Sequence, residues 1–195
     1  MSITSKKVVV VGGGAAGMMA AGVCAQNGAE VFLLEKNDLL GKKLRITGKG
    51  RCNITNNCDA PAFMANVPRN GKFLYSAISN FSPSDTISFF EARGLKTKTE
   101  RGNRVFPASN KAIDVVRTLE GFVAEAGVKI LNVRARNLLV KDGNCEGVET
   151  QSGEKIFADV VILATGGLSY PRTGSTGDGY NMARRVGHTI VEPRP

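Results

Sequence analysis

The residues best suited to chemistry in this sequence are glycines. Gly12-Gly13-Gly14-Ala15-Ala16-Gly17 has the spacing GxGxxG, follows the apolar run Lys7–Val11 directly and opens a helix-forming run. In that context Gly12 permits a sharp turn, Gly14 lets the backbone approach a pyrophosphate with no side chain in the way, and Gly17 lets the helix lie close to the strand. The amides that start the helix, with Gly13, Ala15 and Ala16 in the same loop, then face the phosphates. A charge held there gains about 0.3–1 kcal/mol from the helix dipole. Glu35 stands just past a second apolar run, Glu30–Leu34. A carboxylate at that point accepts hydrogen bonds from the two hydroxyls of an adenosine ribose and repels a 2′-phosphate, so the unit is suited to FAD or NAD and disfavours NADP.

Two further segments have ligand-binding character. The stretch from Lys42 and Lys43 to Gly50, Arg51, Cys52 and Asn53 is cationic and glycine-containing. Clustered Lys and Arg also suit a nucleic-acid backbone, but the segment has no aromatic side chain on which a base could stack. Ala164-Thr165-Gly166-Gly167 ends a later apolar run, and ligands of open parallel sheets bind beyond such strand ends. An ordinary strand-ending turn is the alternative for this segment. No side chain is an obvious acid or base; Cys52 and Asp178 are the nearest candidates, and the catalytic residues stay unassigned.

These residues need elements to position them. Lys7–Val11 and Glu30–Leu34 read as buried strands joined by a helix over residues 15–27, closed by Gly28 in a left-handed cap, and this βαβ unit should be a right-handed parallel crossover. Residues 36–72, rich in Gly and Asn, read as a long structureless loop. Ser82 and Pro83 open a helix that runs through Phe89 and Phe90 to Gly94. Residues 95–107 read as a hairpin about Arg101-Gly102-Asn103. Ser109 is expected to cap a helix with Ile113, Val116, Leu119 and Val123 on one side, ending near Gly127. A strand over 128–133 and an antiparallel meander over 136–157 follow, turning at Asp142-Gly143 and Ser152-Gly153. Residues 159–164 return as a buried strand, and 178–186 form a helix with Arg184 and Arg185 at its negative end.

Composition narrows the function classes. Lysine and arginine total 26 against 17 aspartates and glutamates, a net charge of +9 that favours anionic partners. The longest apolar runs fall well short of the roughly 18 residues of a membrane span, so no membrane partner is expected. Lys6 and Lys7 before an apolar run resemble a secretory leader, but the glycines would break its helix, and a cytoplasmic location is expected. Cys24, Cys52, Cys58 and Cys145 form no CxxC pair, and His188 is the only histidine. This argues against a zinc site, a dithiol, a serine–histidine hydrolase or any multi-histidine metal centre. Chemistry is then borrowed from a cofactor.

Three segments taken together, residues 46–56 (ITGKGRCNITN), residues 98–107 (KTERGNRVFP) and residues 164–179 (ATGGLSYPRTGSTGDG), resemble the BaiN/RdsA-type, or YhiN-like, flavoproteins, described as NAD(P)/FAD-dependent oxidoreductases. The resemblance implies that Gly12–Gly17 and Glu35, with Lys36 beside it, hold the ADP part of FAD. It implies that Lys42, Lys43 and Gly50, Arg51, Cys52 and Asn53 lie along the pyrophosphate and flavin. Val133 would meet the adenine through its backbone, and Ala164, Thr165, Gly166 and Gly167 would pass beside the cofactor. Members of such a family are about twice as long, continuing into an inserted substrate domain and a carboxyl-terminal return segment, so substrate-side residues are expected beyond Pro195.

The expected fold is α/β: an FAD/NAD(P)-binding, Rossmann-like parallel sheet with an antiparallel β-meander crossover, residues 1–195 forming one FAD-binding domain. The expected function is hydride transfer through FAD to a small reducible molecule, with NAD(P)H as donor and nucleic acid not favoured as partner. A flavin-dependent nucleic-acid modifier and a non-catalytic nucleotide-binding module are the alternatives, and oligomeric state is left open.

Overall fold

Consecutive valines leave a strand no polar face, so Val8–Val11 must be covered on both sides. The computed structural model describes residues 5–193, and in it β1 (Lys7–Val11) is the best buried strand of a parallel sheet. β1 lies between β2 (Glu30–Leu34) and β10 (Val160–Leu163), and β6 (Lys129–Leu131) pairs with the far side of β2, all in parallel. The side chains of β1 divide by parity, as a period of two requires. Val9 and Val11 join Leu34, Ala135, Val148, Ile156 and Met182 in one buried cluster. That cluster packs the sheet against a three-stranded antiparallel meander, β7 (Ala135–Lys141), β8 (Asn144–Thr150) and β9 (Lys155–Phe157), and against α6 (Asp178–Arg185). α1 (Ala15–Gln26) packs on the sheet, and the ring of Phe122 sits so close to Gly22 of α1 that a Cβ there would strike it.

The chain divides into two compact units, one made of residues up to Lys43 and from Leu119 onward, the other of Leu44–Thr118. The division falls within α5 (Ala112–Glu125). In the second unit, β3 (Thr55–Asn56), β5 (Arg104–Pro107) and β4 (Thr97–Glu100) form an antiparallel sheet in that order. α2 (Ala60–Ala65), α3 (Gly71–Asn80) and α4 (Pro83–Glu91) precede β4. α4 starts as the sequence requires: Ser82 Oγ accepts from the Asp85 N–H, and the Asp85 carboxylate accepts from the Ser82 N–H, a reciprocal cap.

Three expectations need correction. Residues 36–72 are not structureless, since 3-10 turns over Leu44–Gly50, β3, α2 and the start of α3 lie within them. α2 and α3 contain no buried residue, yet both carry legible signals: Asp59, which accepts from the Ala62 N–H, caps α2, and Phe73, Leu74, Ala77 and Ile78 recur at helical spacing in α3. Ser109 does not cap α5. Asn110 takes a left-handed turn (φ 58°) before the helix begins at Ala112, and Ser109 Oγ instead donates to Asp114 and accepts from the Lys111 N–H. β10 is apolar but only half-buried, because it is an edge strand of the described sheet; Val160 is exposed.

The closest packing is at the first turn. A Cβ on Gly17 would collide with the carbonyl oxygen of Gly12, and one on Gly12 would lie 2.5 Å from the carbonyl oxygen of Ala164. Backbone cannot yield there as a flexible side chain can. Gly17→Ala is therefore expected to cost about 3 kcal/mol or more, lowering the melting temperature by roughly 6–12 °C in a calorimetric or circular-dichroism melt.

Candidate dinucleotide site

The glycine loop lies at the carboxyl ends of β1 and β2. Gly12 has φ +109°, a value reserved for glycine, and its N–H donates to the Leu34 carbonyl at 2.8 Å. Gly14 caps α1 in an extended conformation (φ −81°) and offers no side chain to the helix start. The first turn of α1 has no acidic residue, so its amides and dipole are left for an external anion. No atom lies within 4 Å of the place a Gly14 Cβ would take. The open space is thus next to the helix start, where a pyrophosphate requires it.

Glu35 is buried, and protein donors already occupy most of its carboxylate. Oε2 accepts from the Gly13 N–H at 2.7 Å; Oε1 accepts from the Asn37 backbone N–H at 2.8 Å and from Asn37 Nδ2 at 2.6 Å. Of about four lone-pair directions on a carboxylate, three are taken, and the one left is on Oε2. Gly13 therefore spends its N–H on Glu35. The backbone of Glu35 is fixed as well, its N–H donating to the Leu131 carbonyl and its C=O accepting from Asn132 Nδ2. Val133, one residue further, is half-buried, and its N–H donates to the Leu131 carbonyl at 3.0 Å.

The lysines of the first unit are tied down to differing degrees. Lys36 Nζ donates to Asp178 Oδ2 at 2.8 Å and to Thr176 Oγ1 at 2.7 Å, while Arg134 Nη2 reaches Asp178 Oδ1 at 3.1 Å. Partial burial pushes the Asp178 carboxyl up, but the hydrogen bonds from Lys36, Arg134 and Thr176 outweigh it and hold the group below the ordinary aspartate range. It stays ionised and paired, which suits an anchor rather than a general acid. Lys42 and Lys43 make only long contacts, 3.5 Å to Asn37 Oδ1 and 3.3 Å to Ser169 Oγ. Of the segment after β10, Ala164 passes against Gly12 and Gly17, Thr165 Oγ1 accepts from the Gly179 N–H at 3.1 Å, Gly166 is left-handed (φ +75°) and Gly167 lies near the Tyr180 hydroxyl.

Gly50, Arg51, Cys52 and Asn53 belong to the second unit. Gly48, Lys49, Gly50 and Cys52 all have positive φ, a tight backbone coil that a sequence with two non-glycine residues in it does not announce. Arg51 Nη1 donates to both Glu100 oxygens at 3.0 Å, and its guanidinium stacks 4.1 Å over the Phe106 ring. Lys98 and Arg51 hold the Glu100 carboxyl below its usual range. Asn53 donates its amide to the Val105 and Thr55 carbonyls. Cys52 is buried, which pushes its thiol up in spite of a hydrogen bond with Thr47, so at neutral pH it is a packed thiol and not a nucleophile.

The family is decided over nearly the whole length. Residues 6–193 match the model described as the HI0933-like protein Rossmann domain. The chain belongs to that family. It is 37% identical over 180 residues to the 3-dehydro-bile acid delta(4,6)-reductase of Clostridium scindens, covering 89% of this chain and 42% of the reductase. It is 28% identical over 178 residues to the ribosomal RNA dihydrouridine synthase of Escherichia coli, covering 91% of this chain and 44% of the synthase. The chain thus spans less than half the length of these curated relatives. Among solved structures, the 3-ketosteroid-delta4-(5alpha)-dehydrogenase of Rhodococcus jostii RHA1 superposes with a TM-score of 0.73 at 18% identity, over 95% of this chain and 55% of that one. That identity speaks for the fold alone. Family match and neighbour together show a Rossmann-fold domain, and no helix among the described residues is long and apolar enough to cross a membrane.

The Asp178 cluster gives a pH signature. A carboxyl held below its unfolded value stabilises the fold above that value and loses the contribution as pH falls through the folded one. In urea unfolding, Asp178→Asn is expected to be less stable than the parent by a constant margin from pH 7 to pH 5, with the margin closing below about pH 4.

Proposed function

We propose that this chain is the FAD-binding part of an oxidoreductase that adds hydrogen across a carbon–carbon double bond. The observation that carries the cofactor is the empty side-chain space at Gly14, set against an uncapped helix start and next in the chain to Gly13, whose N–H donates to the Glu35 carboxylate. In this reading Gly14, Ala15, Ala16 and Gly17 receive the pyrophosphate on the first turn of α1, and the remaining lone pair of Glu35 Oε2 accepts a ribose hydroxyl. Val133 borders the adenine. Lys42 and Lys43, held only by long contacts, approach the phosphates, and Ala164–Gly167 serve the rest of the cofactor. FAD, when bound, supplies a ring that takes up and passes on a hydride, and reduced nicotinamide is the donor we assign.

The reaction class rests on the relatives' names. One is a delta(4,6)-reductase and the other makes dihydrouridine, and in both cases hydrogen is added to an unsaturated carbon pair. A small unsaturated acceptor is favoured by the closer of these two, the bile-acid reductase. A second reading, with an RNA base as acceptor, has one specific observation in its favour. Leu44–Thr118 carries twelve Lys and Arg against five Asp and Glu, so seven of the nine net positive charges fall in the second unit. RNA binding with a steep loss of affinity between 50 and 200 mM salt supports that reading, and no binding at low salt removes it.

The test is the absorbance spectrum of protein incubated with FAD and desalted. A bound-flavin spectrum is expected, and bleaching by NADH or NADPH under anaerobic conditions would identify the donor. Gly14→Val is expected to abolish flavin retention while melting as the parent does, because the added atoms occupy only ligand space. Glu35→Ala is expected to weaken FAD about ten- to a hundredfold and, by leaving the Gly13 N–H without its partner, to cost about 1–3 kcal/mol of stability. Native FAD affinity in both variants would place the cofactor elsewhere.

A further inference from the structure

Asp178 opens α6, more than forty residues beyond the nearest of its two cationic partners, yet it joins three segments of the first unit. Its two oxygens take Lys36 Nζ at 2.8 Å, Arg134 Nη2 at 3.1 Å and Thr176 Oγ1 at 3.0 Å. Lys36 directly follows Glu35, and Arg134 directly follows Val133. The ends of β2 and β6, which carry the residues assigned to ribose and adenine, are therefore bridged through one carboxylate. A second bridge runs alongside it, since Asn132 Nδ2 donates to the carbonyls of Glu35 and Asn37 at 3.1 and 2.7 Å. On its other side, the residue after Asp178 donates its N–H to Thr165 Oγ1, and a Cβ on Gly179 would collide with that oxygen.

Most surface ion pairs contribute little, because two mobile side chains are ordered in high dielectric. This one differs in three respects. The Lys36 and Asp178 side chains are only 23% and 18% exposed, one carboxylate serves two cations and a hydroxyl, and it sits at the positive end of α6. Removing the carboxylate would leave two cations with no anion between them, and only the Thr176 hydroxyl on Lys36.

We propose that Asp178 is a positioning residue for the adenosine half of the cofactor: through Lys36 and Arg134 it sets the separation of residues 35–37 from residues 132–134, and through Gly179 it ties that separation to Thr165 beyond β10. The inference rests on the dinucleotide reading given above. It gives Lys36 an indirect part, in which its ammonium holds Glu35's neighbourhood in place and does not touch a phosphate.

The experiment measures ADP and FAD binding by titration calorimetry on the 195-residue chain, well below the melting temperature, for the parent, Asp178→Asn, Lys36→Met and the double variant. Asp178→Asn is expected to lose about tenfold in ADP affinity, Lys36→Met a similar amount, and the double variant no more than the greater single loss, since both remove the same bridge. Hydrogen exchange in the ADP complex should be faster at residues 35–37 and 132–134 in the variants. A merely structural role would lower the melting temperature and leave the ADP affinity of the folded protein intact. Parent-like ADP affinity in Asp178→Asn, or fully additive losses in the double variant, would overturn the proposal. If Asp178→Asn does not fold, Lys36→Met alone decides, with parent-like ADP binding again the overturning result. A parent chain that binds neither ADP nor FAD would overturn the dinucleotide reading, and this inference with it.

Discussion

Four pieces of backbone converge at Gly12. Its N–H reaches the end of β2, the place a Cβ would take on it is occupied by the Ala164 carbonyl beyond β10, and its own carbonyl is covered by Gly17 of α1. Three elements distant in sequence can be this close only where no side chain stands between them. The consequence extends past packing. With α1 pressed onto the strand ends, its first-turn amides emerge beside Gly13, whose own N–H is turned to Glu35. Close packing, helix direction and carboxylate placement thus follow from one steric condition, and the candidate site is its by-product.

Electrostatics differ between the two units. In the first, Asp178 serves both Lys36 and Arg134, Glu30 pairs with Lys129, and Glu35 is satisfied by neutral donors. In the second, Glu100 already serves Arg51 and Lys98, and the surplus of cations over anions is large. Surplus charge adds little to a fold but raises the local concentration of anions and speeds their arrival, with an effect that fades as salt shortens the screening length. Concentrated in residues 44–118, such a field suits a polyanion whose many phosphates can meet several cations at once.

How much of this was legible in the sequence depended on how local each cause is. β1, α1 and β2 were readable because valine runs and a glycine spacing act within a few residues, and Gly28 marks the stop by its left-handed backbone. The hairpin of β4 and β5 and the meander were readable from their turns, including Asp142-Gly143, both with positive φ. α3 was not, although Phe73, Leu74, Ala77 and Ile78 recur at helical spacing, because its start lies among Asn66, Asn70 and Gly71, which read as loop. β10 misled for the opposite reason: its apolar composition records what the strand can be covered by, whereas its burial depends on what lies beside it. At the site, Glu35 reads as an acceptor of two ribose hydrogen bonds, but Asn37, only two residues away, and Gly13 occupy three of its lone-pair directions and leave one. The link from Lys36 to Asp178 crosses 142 positions, and nothing in either neighbourhood points to the other.

Cys52, set aside as a nucleophile, can serve as a clock. Its thiol is buried and pushed toward the protonated form, while Cys24, Cys58 and Cys145 are all half-buried. An alkylating reagent meets those three in the folded protein but reaches Cys52 only during excursions that uncoil the left-handed turns around it. Its labelling rate therefore counts openings of the second unit, one thiol at a time, without any probe having to be added to the chain.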